Sequence, residues 1–477
     1  MVTIVRPGGA SDSPPWIAED ERRDPWAIVG WLAAIGVGVM ALGLSLWRLM
    51  PGLGFWDTAE FQVVLPVLGT AHPTGYPTYV LAGWLASLVL QPLGEPALRM
   101  NVFSAILVGI GVAISVDLAR RLSGSLLLGV VAGLGIALTP IVWSVGTHAD
   151  PHALHFVFVA AILWLLVRWE AAKRGVGGSV AGRSGGRGAA GAGGHGDPRH
   201  SDARRADRLL LAAAALVGLS IGNHSLTFLF GPPILLFVFA VDREVFRRPR
   251  LVAACVAAFL IPTVLVRFEM VLRAGWFRAP FVYADPSTWS GFWYVTLGEQ
   301  FHGWFTDPTT GWSRRISDLV TMAVGQLGPL APVVVLAFLA TAVRRPRYAL
   351  LSGTALAITC LFNAVYPDGA IDRYYIGPVL ICWTWLAILG SAVVDLVLGR
   401  PWTADPSDRR IIVGWRPWLT DPWRSFGIAV VAAVLIAPSV LAVPVRAQIV
   451  DRSRDRLAER WTDEVLTAVE PNAVIVS

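Results

Sequence analysis

Apolar runs of roughly 15 to 25 residues recur along the whole chain, each closed by a break rich in Arg, Pro or Gly. A run of that length crosses about 30 Å of hydrocarbon as a helix, and no soluble core needs so many of them in series. Charged residues make up only 15% of the chain and apolar residues 55%, against about 25% charged in a soluble domain. The expectation is an all-α polytopic membrane protein, and a single soluble enzyme domain is excluded.

All but one of the 39 basic residues are Arg, and they gather at the ends of apolar runs, so the net charge of +6 reads as membrane orientation and not as nucleic-acid binding. Arg120–Arg121, the Gly-rich stretch Arg168–Arg208 with nine basic residues, Arg243–Arg250, Arg344–Arg347 and Arg400–Arg424 all fall on one side, the cytoplasmic one by the positive-inside rule. About eleven spans result: 27–47, 99–119, 123–143, 153–169, 208–222, 225–241, 251–268, 318–341, 348–366, 374–397 and 425–445. The short run Thr78–Leu93, bracketed by Pro and Gly, is expected to lie at the outer interface without crossing. The implied organisation is a cytoplasmic leader 1–26, a membrane domain 27–445 with a cytoplasmic linker 170–207 and a long outer loop 269–317, and an extracytoplasmic tail 446–477. Cys255, Cys360 and Cys382 lie within apolar runs and imply no disulfide framework.

With that topology the unusual polar residues collect on the outer face. Asp57 and Glu60 are spaced i, i+3 and so share a helix face, and two carboxylates at an apolar boundary suit general-base work on a hydroxyl; an Asp helix cap fits the same spacing. His72 and Tyr76 lie in a Pro/Gly turn that either aims them into a pocket or begins the interfacial helix. Asp150, His152 and their neighbours His148 and His155 offer polar lining, and a divalent metal is admissible there but not favoured, because Pro151 separates the ligand pair. Arg99 opens a span and calls for an anionic partner such as a lipid phosphate. Asp372, Arg373 and Tyr374 at another span entrance suit a sugar or headgroup, or an interfacial belt with a rim ion pair. Asn223 and His224 form a polar pair at a hairpin apex. The spans hold few ionisable groups in their central turns, which argues against the alternative of a transporter or flippase of lipid-linked glycans.

Five stretches in order, Phe55-Trp56-Asp57-Thr58-Ala59-Glu60-Phe61, Leu68-Gly69-Thr70-Ala71-His72-Pro73-Thr74-Gly75-Tyr76-Pro77, Arg99-Met100-Asn101-Val102-Phe103-Ser104-Ala105, Gly218-Leu219-Ser220-Ile221-Gly222-Asn223-His224 and Asp285-Pro286-Ser287-Thr288-Trp289-Ser290-Gly291-Phe292-Trp293, resemble a family of membrane glycosyltransferases long known as a domain of unknown function. Its animal relatives are protein O-mannosyltransferases. One departure is Ala149-Asp150-Pro151-His152, where the family tends to carry Glu in place of Asp150. The resemblance implies a glycosyltransferase C-type fold with interfacial helices in the first outer loop. It also implies an inverting transfer of a sugar, mannose by analogy, from a polyprenyl-phosphate donor to a hydroxyl of a protein or glycan. In that scheme Asp57 is the general base, Glu60 positions it or the sugar, and Arg99 and Arg373 neutralise the leaving phosphate. The expected location is the plasma (inner) membrane, with the N-terminus cytoplasmic and the active site extracytoplasmic.

Overall fold

The computed structural model describes residues 25–181, 198–366, 371–403, 421–470 and 473. Most of the leader and the middle of the 170–207 linker therefore lie outside the described residues. The expected helical architecture is what forms. Among the described residues there is no strand, only a single bridge between Thr70 and Val282.

The helices run in chain order as α1 (Pro25–Trp47), α2 (Trp56–Val67), α3 (Pro77–Val89), α4 (Pro96–Ser123), α5 (Leu126–Ala137), α6 (Pro140–Val145), α7 (Pro151–Ala181), α8 (Pro198–Ile221) and α9 (Gly231–Val241). They continue with α10 (Pro249–Val271), α11 (Trp289–Leu297), α12 (Trp312–Leu327), α13 (Val333–Arg344), α14 (Pro346–Val365), α15 (Ile376–Val397), α16 (Pro422–Leu441), α17 (Val443–Ile449) and α18 (Leu457–Ala468). Pro opens many of them, because a missing N–H costs nothing in a first helical turn.

Among the described residues, seven helices are long and apolar enough to cross a bilayer, or eight if the pair Trp312–Leu330 and Val333–Arg344, bent by 79°, counts as one broken span. The remaining expected crossings fall on shorter or more polar helices. The 123–143 run breaks between α5 and α6, where Pro140 cannot donate to the preceding turn. The 208–222 run is the apolar half of α8, and 225–241 is a 3₁₀ turn, Ser225–Phe230, leading into α9. Thr78–Leu93 folds as the 13-residue α3, and the long segment 269–317 holds α11 and the start of α12. On α12, Ile316, Val320 and Val324 form an exposed apolar stripe suited to lying on a membrane surface.

The central helices are α4, α7 and α15, whose apolar windows are 72%, 83% and 83% buried; α10 and α16, at 11% and 22%, face outward. The α1–α4 crossing is close because it is made on glycines. A Cβ on Gly38 would sit 2.6 Å from the Gly109 carbonyl oxygen, so no larger residue fits without moving a helix.

The Arg clusters read as one side of the membrane do meet at one end of this bundle. Asp395, fully buried, accepts from Arg344 (2.7 Å) and Arg424 (3.1 Å), and Arg345 donates to the Arg121 carbonyl (2.9 Å). Asp117 accepts from Arg121 (2.6 Å), from the Trp164 indole (2.7 Å) and from Arg120. The residues expected on the outer face lie at the opposite end. The tail returns there too, through Arg48–Asp451 (2.6 Å) and an edge contact of Trp461 with Phe55.

Candidate active site

The site is built on the N-terminus of α2. Phe55 occupies the cap position in extended backbone and Trp56 takes a left-handed φ of 56°, so the helix starts before Asp57 with no side-chain cap. Asp57 is therefore not spent on capping, and it shares a face with Glu60. Glu60 accepts from the His72 backbone N–H (2.7 Å) and, through its other oxygen, pairs with the His72 ring Nδ1.

Arg373 joins this pair to the segment before α7. One guanidinium nitrogen lies 3.3 Å from Asp57 Oδ2 and the other 3.3 Å from Asp150 Oδ2. Asp150 is the hub. It is fully buried at the start of α7, and its Oδ1 accepts from both the backbone N–H and the ring Nδ1 of His152 (2.8 Å each). Burial alone would raise its pKa, but Arg373 and then His152 more than offset that and hold the carboxyl well below the usual range.

Around this hub stands a ring of aromatics. His152 stacks on Tyr374 (5.2 Å between centroids) and lies 4.6 Å from His224, which in turn meets Tyr76 (5.6 Å). His224 Nδ1 accepts from the Leu226 N–H at the start of the 3₁₀ turn, and Asn223 Nδ2 donates to the Pro151 carbonyl. Burial, then the neighbouring His152 and His155, push the His224 pKa well down, and burial also lowers His148, so both stay neutral. Burial pushes the Tyr76 phenol up, so it stays protonated. His152 Nε2, His155 Nδ1, His224 Nε2 and Asn223 Oδ1 are buried without a protein partner. Each is a buried polar group with hydrogen-bonding capacity to spare.

The structure thus brings together Asp57, Glu60, His72, Tyr76, Asp150, His152, Asn223, His224, Arg373 and Tyr374, from five segments of the chain. Asp372 is exposed on the turn beside Arg373. Arg99 stands apart from the contacts of this group: its Nη1 donates to the Ser87 carbonyl (2.9 Å), and its Nε has no partner.

Sequence reasoning missed the scaffold beneath the site. Asn101, fully buried on α4, donates to the carbonyls of Met50 (2.9 Å) and Gly52 (3.2 Å) and accepts from Gln62 and from the Ala149 N–H (2.9 Å each). It clamps the segments around Met50–Gly52 and Ala149 together. Asn101→Ala leaves these groups buried and unpaired and is expected to cost about 2–4 kcal/mol, read as a lowered unfolding temperature in detergent. Arg267 on α10 was missed as well; it donates to the Thr74 carbonyl (2.5 Å) and the Ile221 carbonyl (3.2 Å), tying the His72 turn to the end of α8.

Asp57, Glu60 and His72 are also the residues that could take a divalent cation, since one ligand atom from each lies within 4.8 Å of the others. His72 fits that role poorly while it is protonated. Burial disfavours its charge, but the bond and charge of Glu60 outweigh burial and raise its pKa above the ordinary 6.5. The His72–Glu60 pair is therefore complete below pH 6.5 and is lost as pH rises through the raised value. An alkaline fall in activity is expected in the native chain. His72→Gln should remove that alkaline limb and leave a lower activity.

Residues 57–246 match the family model described as the Protein O-mannosyl-transferase TMEM260 N-terminal domain. Protein O-mannosyl-transferase TMEM260 of Mus musculus is 30% identical over 151 residues, which is 31% of this chain and 21% of that protein. The chain thus aligns with about a fifth of that relative's length. The resemblance read from the motifs is borne out over this stretch; the Asp285–Trp293 motif lies beyond it. Among solved structures, ArnT from Cupriavidus metallidurans bound to undecaprenyl phosphate superposes with a TM-score of 0.56 at 14% identity, over 94% of this chain and 81% of that one. The apo form of ArnT gives 0.51 at 14% identity, over 89% and 76%. The fold is the expected glycosyltransferase C-type one.

Proposed function

We propose that this chain is an inverting membrane glycosyltransferase that moves a sugar from a polyprenyl phosphate to a hydroxyl acceptor at the outer face of the plasma (inner) membrane. The observation that carries the reading is the contrast among three neighbouring acids. Asp150 is sealed and Glu60 is 16% exposed, both held by histidines, whereas the Asp57 side chain is 46% exposed with a guanidinium across it. An open carboxylate on a rigid, charge-matched scaffold is what a general base needs.

In this reading Asp57 takes the proton of the acceptor hydroxyl as its oxygen bonds to the anomeric carbon. The bond from that carbon to the phosphate breaks, and the electron pair leaves with the polyprenyl phosphate. Arg373 neutralises the charge that develops there. Glu60, held by His72, orients Asp57 and the sugar. The unpartnered nitrogens of His152 and His224, with Asn223 and the Tyr374 ring, receive the sugar hydroxyls. The buried aromatic ring excludes water that would otherwise hydrolyse the donor.

The fold shared with ArnT bound to undecaprenyl phosphate supports a polyprenyl-phosphate donor, and the likeness to Protein O-mannosyl-transferase TMEM260 supports mannose and a protein hydroxyl. The test is transfer of labelled sugar by the purified chain from a panel of polyprenyl-phosphate sugars. One active donor and a product of inverted anomeric configuration are expected, and a retained configuration would overturn the displacement mechanism. For sidedness, Asp57→Cys in a background lacking Cys255, Cys360 and Cys382 should react with an impermeant thiol reagent only from outside the cell.

A further inference from the structure

At the end of the bundle opposite the active site, a cavity of about 510 Å³ opens between α1 and α8 over a floor of α4 and α7. Its walls are almost wholly apolar, with Ile114, Leu165, Leu209 and Leu216 among them. One end is closed by Trp31 set edge-on to Trp164 (6.4 Å). The acid in the lining, Asp117, is already matched by Arg120, Arg121 and the Trp164 indole, so it asks for no cation.

The positive charge at the rim is not matched. Arg208 lines the cavity and is exposed, and Arg205 sits one turn earlier on the same face of α8; neither has an acidic partner among the described residues. The Arg205 Nε is buried without a partner. Positions 205, 208, 209, 212 and 216 follow the helical repeat, so two guanidinium groups and an apolar trough form one continuous strip.

We propose that this cleft is a binding site for an anionic phospholipid of the leaflet opposite the active site, its phosphate on Arg205 and Arg208 and an acyl chain along the Leu209–Leu216 wall. An apolar trough embedded in a bilayer takes a hydrocarbon chain, and unpaired Arg at its end selects a negative headgroup. The polyprenyl-phosphate donor is a poor occupant, because its phosphate must reach Asp57 at the far end of the bundle. The inference needs the chain only to be embedded in a membrane, and it stands or falls separately from the transfer reaction.

The test is native mass spectrometry of the purified full chain exchanged into phosphatidylglycerol or phosphatidylcholine, with an acyl-diazirine phosphatidylglycerol as photoprobe. One phosphatidylglycerol should be retained at least tenfold over phosphatidylcholine, and the label should land on α8 between residues 205 and 216. The double variant Arg205→Ala, Arg208→Ala, which alters only cytoplasmic-end side chains lacking acidic partners, should abolish the headgroup preference. Ala212→Trp, which projects into the cleft, should abolish the labelling. Equal retention of the two lipids, label elsewhere in the chain, or displacement of phosphatidylglycerol by polyprenyl phosphate would overturn the proposal.

Discussion

Asp150→Asn is expected to cost about 3–5 kcal/mol of stability and about 10²-fold or more in transfer rate. The substitution keeps the shape and removes the charge that Arg373, His152 and His148 face. Because Asp150 is fully buried, Arg373 loses its main counter-charge in a dry setting, and an amide N–H₂ turned toward a guanidinium sets donor against donor. Arg373 would then lean more heavily on Asp57, which moves both the base and the cation meant for the leaving phosphate. The acid side of the stability profile checks the cause. A carboxyl held below its ordinary 3.8 contributes stability that is present above that value and lost as pH falls through the lowered one. The native chain should therefore lose stability in acid through this group, and Asp150→Asn should lack that contribution at every pH.

Asp57→Asn is expected to behave differently: transfer falls by about 10²–10⁴-fold, while the unfolding temperature stays within a few degrees of the native one. The side chain is nearly half exposed and makes one contact, with Arg373 at 3.3 Å, so little packing depends on it. What it loses is the ability to accept the acceptor's proton. Asp57→Glu keeps that ability but shifts the carboxylate by a methylene, and should retain more activity than the amide. Stability measured beside rate separates the two carboxylates: one holds the site together and the other acts.

Much of this was legible in the sequence, for a physical reason. A polar residue beside a 20-residue apolar run is conspicuous, because the bilayer tolerates it only where it is paired or used. That logic picked out Asp57, His72, Asp150, His152, His224 and Arg373 from separate loops, and the helices converge to bring them together. Where the residues alone left Asp57 open as a cap, the backbone decides, since α2 begins at Trp56.

The rest depended on packing. Arg99 looks like a phosphate ligand from its position, yet its reach along the helix meets the end of α3 at Ser87. Asn101 and Gln62 sit within helices as ordinary-looking amides, and their clamp exists only once α2, α4 and the second outer loop are apposed. Arg267 acts on a carbonyl 193 residues away, which no local pattern encodes. Span number was blurred for a related reason: breaks such as Thr139–Pro140 interrupt apolar runs whose composition alone reads as continuous.

The most direct test of the central claim is the initial rate of sugar transfer from polyprenyl-phosphate mannose by the native chain and by Asp57→Asn, purified side by side and matched for unfolding temperature. The native chain is expected to transfer the sugar with inversion at the anomeric carbon, and the variant to lose at least about 10²-fold in rate. Equal rates in two equally folded proteins would contradict it, because the reaction would then proceed without the base around which the site is built.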